Sequence, residues 1–362
     1  MKTLTKQNII DIIYGCAVLG TGGGGSIAEG LEVMEDDLKE NQEIQLISLD
    51  ELPDDCLVAT PYCCGAPIID GAEVSDAYKA LPQIEEPMAL VAFRKLEEYF
   101  GKPFYAVSST ELGAANTADA LHVACRLGLP IIDADPVGRS VPELQHSTYF
   151  VNDVPIAPMA VATAFGDAMV ITEVVDDFRA EQITRAIAVA SNNLVGVADH
   201  PTTGEVMKRS VIPNAISDAM RIGEILRTHK EDSAEKIAEE MSGKVLFKGV
   251  VTEMPWECVG GFNVGSIILK GVDEDKDEVY RLWFKNEIIV SYRNEVVDVS
   301  APDLICMIAK NGTPLTMPNF EIGQEMTVLA LPAPAIWQTE KGIACLGPKS
   351  FGFDFDYKPF SR

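Results

Sequence analysis

The chain has 362 residues, which is long for a single hydrophobic core and predicts two domains. Its hydrophobic fraction of 47% and charged fraction of 23% are typical of a folded, soluble protein. The formal net charge of -26 argues against nucleic acid and anionic membranes as partners, because both bind basic surfaces. We therefore expect a small-molecule ligand.

The first 15 residues have no uninterrupted apolar core and no small-residue cleavage site, and no apolar stretch is long enough to span a bilayer. The eight cysteines are scattered and form no C-x-x-C pair, so neither a zinc ribbon nor a redox motif is indicated. Reduced thiols in the cytoplasm are then the default. We expect a cytoplasmic protein, and its size leaves a homo-oligomer open.

The first part of the chain alternates helical and strand patterns. An apolar stripe after Thr5 predicts a helix over 5–19, and Ser26 with Glu29 predicts a capping box for a helix to about 40. Further helices are predicted at 87–101, 116–128 and 180–193, and strands at 44–49, 56–62, 104–110, 130–135 and 167–174. This alternation predicts a mainly parallel, three-layer α/β domain over residues 1–170.

The pattern changes in the second domain, residues 171–362. Two helices, at 212–229 and 232–242, lead into a β-rich segment over about 240–335 that is divided by Gly, Asn and Asp. Such spacing predicts a smaller antiparallel barrel or sandwich-like domain. The tail "CLGPKSFGFDFDY" is expected to return and pack on the first domain.

The run "LGTGGGGS" places Gly22, Gly23, Gly24 and Gly25 between two predicted helices. A dinucleotide fingerprint needs a preceding strand and G-x-G-x-x-G spacing, and both are absent, which disfavours an NAD- or nucleotide-dependent enzyme. Four consecutive glycines cost conformational entropy, so a ligand that approaches the backbone is favoured over a tight helix-to-helix crossing. Amides at a helix start suit a phosphate, a carboxylate or a polarised carbonyl.

Three further small-residue loops follow predicted strands: "CCGAP", "ELGAANT" and "DADPVGRSVPE". Ligands of open α/β sheets bind at the carboxyl ends of strands, so these loops are expected to form one pocket with the glycine run. The candidate substrate-binding residues are the four glycines together with Cys64, Gly65, Ala66, Asn116, Arg139 and Glu143.

The candidate catalytic residues are Glu111, Asp133 and Asp135. Glu111 ends a strand and suits a general base or a substrate anchor, with a cap for the following helix as the alternative. Asp133 and Asp135 share a face of an extended strand, where close carboxylates raise one another's pKa and suit proton transfer. With Glu143 they could hold a divalent metal; no other cofactor is predicted.

Other reactive side chains in these loops have two interpretations each. Arg139 either neutralises the aspartates or clamps an anionic substrate. Cys63 and Cys64 point opposite ways in an extended segment, so at most one faces a site, and packing or pocket lining is the favoured role. A nucleophilic role would need folding to bring His122 or His146 close.

Together the four segments "LGTGGGGS", "CCGAP", "STELGAANT" and "DADPVGRSVPE" resemble the S-methyl-thiohydantoin desulfurase family, which is found beside hydantoinase and oxoprolinase proteins. The resemblance implies an α/β amino-terminal domain and a mainly β carboxy-terminal domain. It also implies hydrolysis of a small cyclic amidine or imide, in which water displaces methanethiol and leaves hydantoin. The competing hypothesis is a regulatory protein that binds a small metabolite without turnover.

Overall fold

The computed structural model describes residues 1–40, 42–65, 76–317 and 320–361. The strands of its first part are Lys2–Leu4 (β1), Ile44–Ile47 (β2), Leu57–Gly65 (β3), Ala106–Val107 (β4), Ile131–Ile132 (β5), Ala134–Asp135 (β6), Met159–Ala162 (β7), Ala168–Ile171 (β8), Leu194–Thr203 (β9) and Ile212–Pro213 (β10). Eight of them form one sheet in the order β1-β2-β5-β4-β3-β9-β7-β8, and β6 pairs with β10.

This sheet is mixed, which corrects the prediction of a mainly parallel sheet. Only β2, β5, β4 and β3 run parallel, while β1 at one edge and β9, β7 and β8 at the other join antiparallel. The sequence pattern missed β9 because its polar "ADHP" segment interrupts the apolar run, and it missed β7 because four residues are too few for a pattern. Since β9 belongs to the first sheet, that sheet extends beyond residue 170.

The helices are Lys6–Leu19 (α1), Ile27–Val33 (α2), Glu35–Glu40 (α3), Asp76–Lys79 (α4), Met88–Phe100 (α5), Ala114–Leu127 (α6), Thr148–Val151 (α7), Asp177–Val189 (α8), Gly204–Ser210 (α9), Ala215–Thr228 (α10), Ser233–Glu240 (α11) and Glu340–Leu346 (α12). Ser26 and Glu29 form the predicted capping box of α2, and Thr5 caps α1, where it forms a capping box with Asn8. The helix predicted to run to residue 40 is instead two short helices. None of the described helices combines the length and apolar character that crossing a bilayer demands.

Helices cover both faces of the first sheet. Ile12 of α1, Phe93 of α5 and Leu121 of α6 are fully buried in one core. On the opposite face α7, α8 and α9 bury Tyr149, Ala180 and Met207. The domain is therefore layered helix, sheet, helix, and the carboxyl ends of β3 and β4 open between the layers.

The strands of the second part are Lys244–Glu253 (β11), Trp256–Val259 (β12), Phe262–Gly271 (β13), Val279–Lys285 (β14), Glu287–Arg293 (β15), Val296–Ser300 (β16), Leu304–Ala309 (β17) and Glu325–Leu331 (β18). They form an antiparallel sheet in the order β16-β15-β14-β13-β11-β18-β17, with β12 added on β13. Register shifts in β11, β14 and β15 increase the bending of the strands, and the sheet curls into a half-barrel around Phe247, Ile267 and Leu282.

The carboxy-terminal tail contacts the loop that follows β6. The Trp337 indole N–H donates to the Val137 carbonyl oxygen at 2.7 Å, and the Cys345 thiol donates to the Gln145 carbonyl oxygen at 3.1 Å. Trp337 is fully buried there. These contacts fix the loop that borders the cleft described below.

Helices α1 and α10 meet backbone to backbone at two glycines. A Cβ on Gly15 would overlap the Ala219 carbonyl, and a Cβ on Gly223 would overlap the Asp11 carbonyl. Beside this crossing Arg227 of α10 donates to both carboxylate oxygens of Asp11 at 3.0 Å. The absence of side chains at both glycines is what lets the helices approach this closely.

The crossing generates a stability prediction for Gly223→Ala. In an exposed helix this change would stabilise by about 1 kcal/mol through helix propensity. Here we expect it to destabilise by about 1–3 kcal/mol, since the added methyl group forces the backbones apart. Thermal unfolding followed by circular dichroism measures the effect, and a raised midpoint would show that the crossing is not closely packed.

Candidate active site

A cleft of 1240 Å³ lies where the first sheet meets the edge of the second. The glycine run, the end of β3, the loop after β4, the start of α6 and the loop after β6 all line it, as do Asn286 and Glu287. The four predicted segments therefore border one cleft, and the second domain closes it from another side.

Glu111 lies in this cleft with its carboxylate held at both oxygens. Its Oε1 accepts from Nδ2 of Asn116 at 2.7 Å, and its Oε2 accepts from the Val141 backbone N–H at 2.8 Å. The residue is 8% exposed. Burial raises the pKa of Glu111 to about 7, and the two hydrogen bonds only partly oppose this. Glu111 is thus a carboxyl group that can gain or lose a proton near neutral pH.

Gly24 packs against the start of α6. Its carbonyl accepts from the backbone N–H groups of Ala115 at 2.9 Å and Asn116 at 3.3 Å. A Cβ on Gly24, whose φ is 70°, would overlap the Cα of Gly113. Gly24 therefore has the role given above as the alternative for the glycine run, a close contact between helices. All four glycines nevertheless line the cleft.

Gly23 leaves space for a side chain of the second domain. A Cβ there would overlap the Glu287 carboxylate. Glu287 is 3% exposed and its Oε2 has no hydrogen-bond partner among the described residues. Burial first, and then the charge of Glu111, raises the pKa of Glu287 well above its usual range. The glycine run therefore lies between α6 on one side and the buried carboxyl group of Glu287 on the other.

Sequence reasoning missed Glu287 for a physical reason. The residue follows Asn286, which has φ 58° in the turn between β14 and β15. Polar residues are common in such turns because most of them face solvent. Only the fold shows that this turn faces the glycine run.

Arg139 joins the two domains and does not line the cleft. Its Nη2 donates to Thr21 Oγ1 at 2.7 Å and to the Ile288 carbonyl at 2.8 Å, and its Nη1 donates to the Asp303 carbonyl at 3.1 Å. Burial lowers the pKa of Arg139 to about 10. The side chain has structural partners throughout, so a clamp on a substrate is not the role that this geometry favours.

Asp133 and Asp135 have separate partners outside the cleft lining. Asp133 accepts from the Ser217 N–H at 2.9 Å and from its hydroxyl at 2.5 Å, at the start of α10. Asp135 is fully buried and accepts from the N–H groups of Val137 at 2.8 Å and Gly138 at 2.6 Å. Asp133 is bound by the start of α10 and Asp135 by the loop that follows it, and neither residue lines the cleft beside Glu111.

The remaining predicted residues line the cleft, except Ala66, which lies outside the described residues. Burial raises the pKa of Cys64 to about 12, so its thiol is neutral. Gly65 lets β3 pair closely with the chain before β9, since a Cβ there would overlap the Asn193 carbonyl. Glu143 forms an ion pair with Lys285 at 2.5 Å; burial would raise the pKa of Glu143, but Lys285 and His146 hold it below its usual value.

A second buried carboxylate network lines the cleft on β9. Asp199 accepts from the Tyr62 hydroxyl at 2.6 Å and contacts Nδ1 of His200 at 2.9 Å. Burial opposes protonation of His200, but Asp199 and Asp177 outweigh it and raise the pKa of His200 to about 9. Because β9 was not predicted, the sequence assigned no role to these residues. In the described part of the chain no group of three His, Cys, Asp or Glu side chains is arranged to hold a metal ion.

Comparisons with known proteins agree with this architecture. A protein of Chromobacterium violaceum, known from an X-ray crystal structure, superimposes with a TM-score of 0.81 over 100% of both chains. It is 21% identical in sequence, so the likeness shows a shared fold. No curated protein matches the chain.

Two family models cover nearly the whole chain. Residues 7–173 match the S-Me-THD-like N-terminal domain, and residues 175–360 match the S-Me-THD-like C-terminal domain. The matched segments include every loop that lines the cleft. The chain therefore belongs to the S-methyl-thiohydantoin desulfurase family, with both of its domains present.

Proposed function

We propose that this protein is a hydrolase that acts on a small cyclic amidine or imide of the thiohydantoin type. For an S-methyl-thiohydantoin, water replaces the methylthio group, and the products are hydantoin and methanethiol. The observation that supports this most directly is the state of Glu111 in the cleft. Burial raises the pKa of its carboxyl group to about 7, and a hydrogen bond from Asn116 orients it.

The reaction needs one group to accept a proton and another to donate one. Glu111 takes a proton from water as the oxygen attacks the ring carbon that bears sulfur. Glu287 donates a proton to the ring nitrogen as negative charge develops there, because burial raises the pKa of this carboxyl group well above its usual range. The C–S bond then breaks, and the departing thiolate takes the proton held by Glu111. The hydroxyl group of the intermediate returns a proton to Glu287 as it becomes the new carbonyl. In the net reaction one proton of water therefore ends on the hydantoin nitrogen and the other on methanethiol.

A protein that only binds a metabolite would need the cleft but not this pair. A buried carboxyl group with a raised pKa lowers the stability of the folded protein at neutral pH. Such groups are characteristic of sites that transfer protons. The pairing of Glu111 with Glu287 therefore favours turnover over sensing.

The first test is Glu111→Gln, which keeps the side-chain size and one carbonyl oxygen but removes the proton acceptor. We expect kcat for methanethiol release from S-methyl-thiohydantoin to fall by about 10²- to 10⁴-fold. Glu274→Gln, the same change at an exposed position of the second domain, serves as the control and should retain full activity. A folded Glu111→Gln enzyme with wild-type kcat would refute the assignment.

The pH dependence follows from the same group. Because burial raises the pKa of Glu111 to about 7, the carboxyl is protonated and inactive as a base below that pH. We expect kcat/KM to rise tenfold per pH unit below a midpoint near 7 and then to level off. A midpoint near the ordinary value of about 4.3 for glutamate would contradict a buried base.

Two glycine substitutions separate folding from catalysis. Gly24→Ala places a methyl group on the Gly113 backbone, so we expect a lower midpoint of thermal unfolding. Gly23→Ala places its methyl group on the Glu287 side chain, which can shift, so we expect a folded protein with kcat reduced at least about tenfold, since the proton donor is displaced. Wild-type kcat in Gly23→Ala would show that the position of Glu287 is not important.

A further inference from the structure

Three arginine side chains line the cleft in the described part of the chain: Arg94, Arg126 and Arg185. Arg94 pairs with Glu86 and Arg126 with Asp37, and these two arginine side chains are 44% and 30% exposed. Arg185 of α8 is different, because only 12% of its side chain is exposed. The reaction proposed above gives no role to this buried cation.

The Arg185 guanidinium is fixed on one edge and on one face. Its Nε donates to Glu181 Oε1 at 2.9 Å, and its Nη2 lies 2.7 Å from the same oxygen. Nη2 also donates to the Pro142 carbonyl oxygen at 3.4 Å. The ring of Phe262, from β13 of the second domain, covers one face, with its centroid 4.6 Å from Cζ. These contacts hold the guanidinium in one orientation before any ligand binds.

The third nitrogen of this guanidinium, Nη1, has no partner. It is buried and makes no hydrogen bond to any residue that the structure describes. An arginine stays charged in proteins, and leaving its buried N–H donors unpaired is unfavourable. Because Arg185 lines the cleft, a molecule bound there is the expected source of the missing acceptor.

Arg185 and Glu111 are hydrogen-bonded to two consecutive residues of the same loop. The Val141 N–H donates to Glu111 Oε2 at 2.8 Å, and the Pro142 carbonyl oxygen is the acceptor for Arg185. Two residues span at most about 7 Å, so both side chains border the same part of the cleft. Glu181, which is buried beside Arg185, balances the positive charge, so the raised pKa of Glu111 is compatible with a cation nearby.

We propose that Arg185 donates through Nη1 to the ring carbonyl oxygen of the substrate and stabilises the charge that develops as water attacks. This inference rests on the proposed function. When the water oxygen bonds to the carbon that bears sulfur, the electron pair of the C=N bond moves to the ring nitrogen. In a thiohydantoin this nitrogen is bonded to the carbonyl carbon, so the carbonyl oxygen shares the negative charge. Arg185 stabilises the charge at that oxygen while Glu287 protonates the nitrogen, and Arg185 itself keeps all its protons.

This role narrows the class of substrate. The ring must have a carbonyl group next to the nitrogen that receives the electron pair, as thiohydantoins and related acyl amidines do. A simple cyclic amidine without that carbonyl would leave Nη1 unpaired, and a site built around a buried donor discriminates against such a ligand.

Two ring compounds that differ in this carbonyl test the inference by binding alone. Hydantoin contains it, whereas 2-imidazolidinone has the same ring and both N–H groups but lacks it. We expect the wild-type protein to bind hydantoin about 10- to 100-fold more tightly in calorimetry. Arg185→Met, which removes the donor at similar length, should lose most of this preference. Arg179→Met, at an exposed position of the same helix, is the matched control and should keep it.

Arg185→Lys covers the case in which Arg185→Met does not fold because Glu181 is left without a cation. Its single ammonium group is expected to pair with Glu181, so this variant should also lose the preference, and kcat for S-methyl-thiohydantoin should fall about 10²-fold. A folded Arg185 variant with the wild-type preference, or with wild-type kcat, overturns this inference alone. A wild-type protein that neither binds hydantoin nor releases methanethiol overturns the proposed function and this inference together.

Discussion

The site depends on the contact between the backbone of Gly24 and the start of α6. The Gly24 carbonyl accepts from two N–H groups in the first turn of that helix, and no side chain could fit between Gly24 and Gly113. The residues just before Gly24 bind the second domain. The carbonyl oxygen of Thr21 accepts from the Ile288 N–H at 2.8 Å, and that of Gly22 accepts from the Met317 N–H at 2.7 Å. The glycine run thus links the helix that orients Glu111 to the strand that carries Glu287.

Burial explains why the cleft contains carboxyl groups with raised pKa values. Glu111 and Glu287 both line the cleft, and burial is the largest cause of the raised pKa of each. The guanidinium that could have neutralised them, Arg139, instead donates to backbone carbonyls of the second domain. The proposed chemistry follows from this distribution, because unneutralised buried carboxyl groups remain able to exchange protons near neutral pH.

The sequence predicted those parts of the fold that local patterns determine. Capping residues located the starts of α1 and α2, and apolar runs located β2, β3 and the antiparallel second sheet. It did not predict β9, whose pairing with β3 depends on long-range register.

Within the site, strand ends correctly indicated that Glu111 and Asn116 border the cleft with the glycines. Asp133 and Asp135 were chosen because they end a predicted strand two residues apart, but the start of α10 binds Asp133 and the following loop binds Asp135. Glu287 could not be predicted, because its proximity to Gly23 exists only after the two domains meet.

Turnover of a thiohydantoin in a cleft with a buried glutamate base is the central claim. The most direct test is to incubate the wild-type protein with S-methyl-thiohydantoin at neutral pH and to quantify methanethiol and hydantoin in the same sample. We expect both products to accumulate in equal amounts over many turnovers. Binding of the compound, seen as a raised melting temperature, without release of either product would contradict the account and identify the protein as a metabolite-binding member of its family.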